Sequence, residues 1–201
     1  YKTTLRQINI NFIIHKKNNM KKRTLLPTLL FVFVMLITFN VNAQDFPDLD
    51  KSSMDAATYP GSYKISDKQI KVIYSRPLLK GRTVSKLAPN DEVWRTGANE
   101  AAEITLYKSF KIGDKKVKAG TYSLFTIPGE KEWTVILNSD INVWGAYTYN
   151  PKNDVARIKV PVKSAKLPLE AFSIVFEESK TGAIMHLGWG EVVISVPFEN
   201  N

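Results

Sequence analysis

The sequence contains no cysteine and only two histidines in 201 residues. Without a thiol there is no disulfide, no lipid-modified cysteine and no Cys nucleophile, so the core alone must hold the fold. The short Cys and His spacings that grip zinc are missing. The acidic stretch DFPDLD, residues 45–50, lacks the glycine and the distal glutamate of a calcium loop. His15 lies near the start, which leaves His186 as the one base available for Ser-His-Asp chemistry. Alternation within AIMHLGW sets that residue opposite Met185, Leu187 and Trp189, on a sheet surface. No Gly-rich strand-to-helix phosphate loop occurs. Neither a metal nor a cofactor is expected, and no catalytic residue is assigned.

Long apolar runs are scarce too. The uninterrupted run LLFVFVMLITF, Leu29 to Phe39, has 11 residues, whereas a membrane-spanning helix needs roughly 20. It follows Met20 and the basic residues Lys21, Lys22 and Arg23, and it precedes Val41-Asn42-Ala43. That order is the layout of a cleavable secretory signal. It predicts a start at Met20 with residues 1–19 upstream of it, a signal peptide over 20–43, and a periplasmic or secreted protein with no membrane span after cleavage.

An excess of one charge is also missing once the leader is set aside. Seven of the 28 basic residues and none of the 19 acidic ones fall within residues 1–43, so the rest of the chain carries 21 against 19. Nucleic-acid binding needs a clustered basic face and is not expected on so balanced a surface.

What is present is strand pattern. Residues 44–61 carry four aspartates and two prolines and read as an irregular acidic lead-in. From Ile70 a two-residue period takes over, with Ile70, Val72 and Tyr74 alternating with Lys71, Ile73 and Ser75. Further strand-like segments run over 104–110, 121–127, 133–138, 156–162, 172–177, 183–189 and 192–198. Turn chemistry separates them at Gly113-Asp114, Pro128-Gly129, Lys180-Thr181-Gly182 and Gly188 to Gly190. About eight strands with short loops and little helix predict an all-β fold over 62–201. The expected architecture is an antiparallel β-sandwich or jelly roll in a single domain. Trp133 and Trp189, inside strand-like runs, belong to its core.

Three stretches stand apart by composition: WRTGANEA (94–101), AGTYSLFTIPG (119–129), and WTVILN (133–138) followed by WGAY (144–147). Together with Arg76-Pro77, Lys80-Gly81-Arg82, Asp154 and Arg157 they resemble a bacterial family of exported proteins known only as a domain of unknown function. The resemblance spans roughly residues 70–200. It implies an exported β-rich domain and brings no activity and no catalytic residues.

WRTGANEA is too polar for a core strand and too rich in Trp, Gly and Ala for an ordinary solvated loop. It should form a tight, partly buried turn in which Gly97 supplies an unusual backbone conformation and Asn99 bonds nearby backbone. Arg95 offers a planar fork of donors suited to a carboxylate. One account has Arg95 pairing with Glu100, Glu92 or another acid to fasten the loop across the sandwich, with Trp94 as its apolar plug. The other has Trp94, Arg95, Asn99 and Glu100 lining a pocket, with Trp144 and Tyr147 as a second, aromatic platform. Asp154 and Arg157 are expected to form a local loop clasp. The functional classes left open are a module binding a small molecule, glycan or peptide, a structural domain that meets an envelope protein, and a carboxylate hydrolase, which needs only two facing acids.

Overall fold

The computed structural model describes residues 30–31 and 44–200. The chain divides into two compact units, Tyr1–Asp48 and Leu49–Asn201. In the first, Leu30 and Phe31 are helical and residues 44–48 have no regular structure. The expected signal peptide and the stretch upstream of it fall, apart from those two residues, outside the described residues. No described helix is long and apolar enough to cross a membrane.

The second unit is built of strands, as the two-residue period requires. In β2 (Ile70–Ser75), Ile70, Val72 and Tyr74 are buried while Ile73 is exposed. The strands β1 (Met54–Tyr59), β2, β3 (Ala102–Leu106), β6 (Gly120–Ile127), β7 (Glu132–Asn138) and β8 (Asp154–Pro161) form a six-stranded sheet in that order, every neighbour antiparallel. A second sheet has the order β5-β4-β10-β9, from β4 (Phe110–Ile112), β5 (Lys115–Val117), β9 (Lys163–Ser179) and β10 (Gly182–Asn200). The sheets pack as a β-sandwich.

Two expectations change in detail. The acidic lead-in is not irregular throughout, because Met54–Tyr59 pairs with β2 along its whole length. Its small residues, Ala56 and Ala57, carry no alternating signal, and only the partner strand selects the extended form. The runs 183–189 and 192–198 are continuous in β10, which folds back on itself. The Asn200 N–H donates to the Thr181 carbonyl at 2.6 Å, and His186 meets Ser195. These contacts centre the reversal on Gly190 and Glu191, where Gly190 takes φ 57°.

Between the sheets the core is strongly aromatic. Trp94 stacks on Trp189 with centroids 5.3 Å apart and planes at 12°, and both rings meet Phe172 edge-on. Trp133 meets Trp94 at right angles. Each buried aromatic side chain contributes roughly 1.5–3 kcal/mol or more by leaving water, which is how a domain without cysteine can be held. Trp133 and Trp189 are core residues, as the strand pattern predicts. A short helix, α1 (Val84–Leu87), is capped by Thr83, whose side chain accepts from the Lys86 N–H at 3.3 Å.

Candidate functional site

The six-stranded sheet has a second apolar layer on its outer face. Leu124, Val135 and Leu137 point into the sandwich, so alternation turns Phe125 and Ile136 outward. There they are buried with Ala101 beneath two connections, 93–101 and 139–149. Val93, Val143, Ala146 and Tyr149 pack on the same cluster.

The first connection is WRTGANEA. At Trp94 the chain runs beside β6, exchanging both backbone hydrogen bonds with Thr126 at 2.7 and 2.9 Å. It then leaves the sheet as a loop, closed where the Ala102 N–H donates to the Arg95 carbonyl at 3.0 Å, and returns as β3. The second connection, containing WGAY, is tied to the first through backbone. Ala101 N–H donates to Val143 O and Gly145 N–H to Asn99 O, both at 3.0 Å, and Glu100 bridges Trp144. The two stretches that stand apart in the sequence thus form one roof over β6 and β7.

The roof is conformationally strained. Thr96 and Asn99 take positive φ, 53° and 61°, and Asn142 takes 58°. A β-branched residue in this region is a genuine outlier. Gly97, expected to supply the unusual conformation, does something else. A Cβ there would lie 3.0 Å from the Ser75 carbonyl oxygen, so the residue is glycine because the loop presses on the end of β2. Gly145 meets both needs: its φ is 68°, and a Cβ would collide with the Tyr147 ring.

The sequence-predicted residues are distributed as follows. Trp94 is only 6% exposed and serves as the plug that anchors the roof in the core. It also lines, with Arg95, Tyr147, Glu92, Leu87 and Pro89, a groove of about 280 Å³. Asn99 contributes its carbonyl, shared by the Gly145 N–H and by Nη1 of Arg95, which donates at 3.1 Å. Glu100 lines a different hollow of about 220 Å³ together with Glu103 and Asn142. Trp144 lines neither, and its ring is 59% exposed.

Arg95 differs from Arg76, another arginine of the stretches that carry the resemblance. All three Arg76 nitrogens donate, Nε to the Phe172 carbonyl at 3.0 Å, Nη1 to Asp55 at 3.0 Å and Nη2 to Ser173 Oγ at 2.7 Å. Arg95 is half-buried, donates to one carbonyl, and is in no ion pair among the described residues. The expected pairing with Glu100 or Glu92 does not form. A guanidinium has five donors, and most of those on Arg95 remain free beside the exposed Tyr147.

Two features lay outside the sequence reading. The expected clasp between Asp154 and Arg157 exists at 3.5 Å, but the Asp154 side chain is only 7% exposed. It also accepts from Asn138 Nδ2 at 2.8 Å and from the Tyr149 hydroxyl at 2.7 Å. Burial, then the hydrogen bond to Asp154 and its charge, pushes the Tyr149 pKa up to about 12. A polar strand end such as Asn138, closing the apolar run WTVILN, is the signal that points to such a network. The largest of the three hollows, about 420 Å³, lies between α1, the β6–β7 turn and β10, with Trp133 and Val192 in its lining. None of the predicted residues reaches it. Among the described residues no three His, Cys, Asp or Glu gather to hold a metal.

Comparison with protein families gives a match to a model described as a protein of unknown function, DUF2911, over residues 56–198. The chain belongs to the DUF2911 family. No curated protein and no solved structure matches it. The matched span of the DUF2911 domain takes in both connections of the roof and the groove beside them.

Proposed function

We propose that this DUF2911 protein is an exported ligand-binding domain, whose groove beside Arg95 and Tyr147 receives a small molecule, glycan or peptide. One observation carries the reading: a half-buried guanidinium with most donors unused, held by a strained roof next to an aromatic ring that is 80% exposed. No Arg95 nitrogen is buried without a partner, so its spare donors are open to a ligand, and strained backbone kept in place by its surroundings concentrates at binding sites. Export is supported by the basic, apolar and small-residue order over 20–43.

The test is thermal unfolding of the protein against a panel of glycans, peptides, nucleotides and anions. A ligand at a hundred times its Kd adds about 2.7 kcal/mol, a rise of roughly 5–10 °C for a domain of this size. The rise should vanish in a folded Tyr147→Ala variant. A flat panel from well-folded protein sinks the binding reading in favour of a structural or envelope-protein role.

A second reading rests on the smaller hollow, where two carboxylates, Glu100 and Glu103, line one space. Oε1 of Glu103 accepts the Asn142 N–H at 2.7 Å. Two acids flanking one cleft are the minimum for glycoside hydrolysis. Release of reducing sugar that disappears in Glu103→Gln would support it, and no turnover on any glycan tried would end it.

A further inference from the structure

The groove holds one cation and one anion, and they are not paired with each other. Glu92 lines it beside Arg95, three residues away in sequence, yet neither side chain is in an ion pair among the described residues. The rest of the lining is apolar or aromatic: Leu87, Pro89 and the accessible edge of Trp94, with Tyr147 opening to solvent. At about 280 Å³ the space is just below the usual range of ligand sites, roughly 300 to 1,000 Å³.

We infer that the groove takes a zwitterion, a ligand bearing a carboxylate for Arg95 and a protonated amine for Glu92 on an apolar body. This is the chemistry of an amino acid or a short peptide. The inference rests on the groove being the binding site and narrows what enters it. A purely anionic ligand would place its charge beside Glu92 as well as Arg95. A neutral glycan would desolvate both charges and pair neither, a loss that ligand contacts would have to offset. Only a ligand with both charges satisfies both groups. The planar fork of Arg95 suits a carboxylate in two-point contact, and a single carboxylate such as Glu92 suits the compact point charge of an ammonium.

The test is calorimetric titration of the full chain with four probes: L-leucine, leucyl-leucine, N-acetyl-leucine and leucinamide. The acetylated probe lacks the ammonium and the amide probe lacks the carboxylate. At least one zwitterionic probe should bind about tenfold or more tightly than either singly charged one, the usual scale for a hydrogen-bonded charge. Arg95→Gln should abolish the preference over leucinamide, and Glu92→Gln the preference over N-acetyl-leucine. Glu92 is exposed, so its variant folds even if the Arg95 variant does not. Tight binding of L-leucine assigns free amino acids, and tight binding of leucyl-leucine alone assigns peptides. If both preferences survive the substitutions, or all four probes fail, the inference is overturned. If the probes fail but another ligand binds and is lost in Tyr147→Ala, the groove is still the site and only the zwitterion is wrong.

Discussion

The two sheets treat their outer faces differently. On the six-stranded sheet, Phe125 and Ile136 lie beneath a roof of two long connections. On the four-stranded sheet, Val175 is 58% exposed and His186, Glu177 and Ser195 meet one another on the surface. The bare face shows that this sandwich can leave an outer face to solvent, as antiparallel sheets commonly do. The roof is therefore something additional, and it is where positive φ at Thr96, Asn99 and Asn142 gathers and where Arg95 keeps spare donors. Strain of this kind costs of order 1–3 kcal/mol per residue. Among the described residues, three of the five non-glycine positions with positive φ lie in the roof.

The sharpest way to break the comparison is to detach the roof from the core. Trp94→Ala removes the ring that stacks on Trp189 and meets Phe172 and Trp133. A cavity of that size should cost about 3–5 kcal/mol in urea denaturation, the largest single effect expected here. A loss below about 1.5 kcal/mol would mean that the aromatic cluster does not anchor the loop.

Next in size is the polar fastening at the far end of the roof. Asp154→Ala leaves the Tyr149 hydroxyl without its acceptor, and Asn138 Nδ2 with only the Asn150 carbonyl, in a site where the carboxylate is almost fully covered. We expect a loss of about 2–4 kcal/mol. The same network sets an alkaline limit. The Tyr149 pKa is raised to about 12 from an ordinary 10.0, so folded and unfolded chains both hold the proton below about pH 10 and the contribution is intact there. Between about pH 10 and 12 the unfolded chain releases the proton first, so stability falls as pH rises through that window. Tyr149→Phe should flatten that part of the stability profile, and an unchanged slope would remove Tyr149 from it.

Gly97→Ala probes the roof more gently. The added methyl would press on the Ser75 carbonyl, which is backbone and cannot swing aside. A cost of about 1–2 kcal/mol is expected. A neutral result would show that the loop has slack where we describe contact.

How much of this was legible in sequence follows from the range of each signal. The alternation of Ile70, Val72 and Tyr74 is local, and so are the turn residues, which is why the β class and most strands could be read directly. The three-residue strands of the β4–β5 hairpin are too short to show a period, and β1 has small residues at Ala56 and Ala57. The composition of WRTGANEA and WGAY marked both stretches as unusual. Their junction, Glu100 against Trp144 and Asn99 against Gly145, is a long-range contact with no local trace. Residue types also misassigned the strain: glycine suggests positive φ, yet Gly97 is there for close approach while Thr96 and Asn99 carry the left-handed backbone.

The smallest expected effect belongs to the bare face. His186 touches Ser195 Oγ through Nδ1 at 2.9 Å and Glu177 through Nε2 at 3.1 Å, the residue types of a nucleophilic triad. In such triads the serine contacts Nε2 and the acid Nδ1; here the two are exchanged. None of the three residues lines any of the hollows described above. The Glu177 side chain is 70% exposed, and pairs this open to water contribute about 0–1 kcal/mol. His186→Ala should therefore change stability by no more than about 1 kcal/mol and leave binding in the groove unaltered. A loss above about 2 kcal/mol would show that the bare face has a polar fastening of its own, and strain and unmet donors alone would then set the roofed face apart.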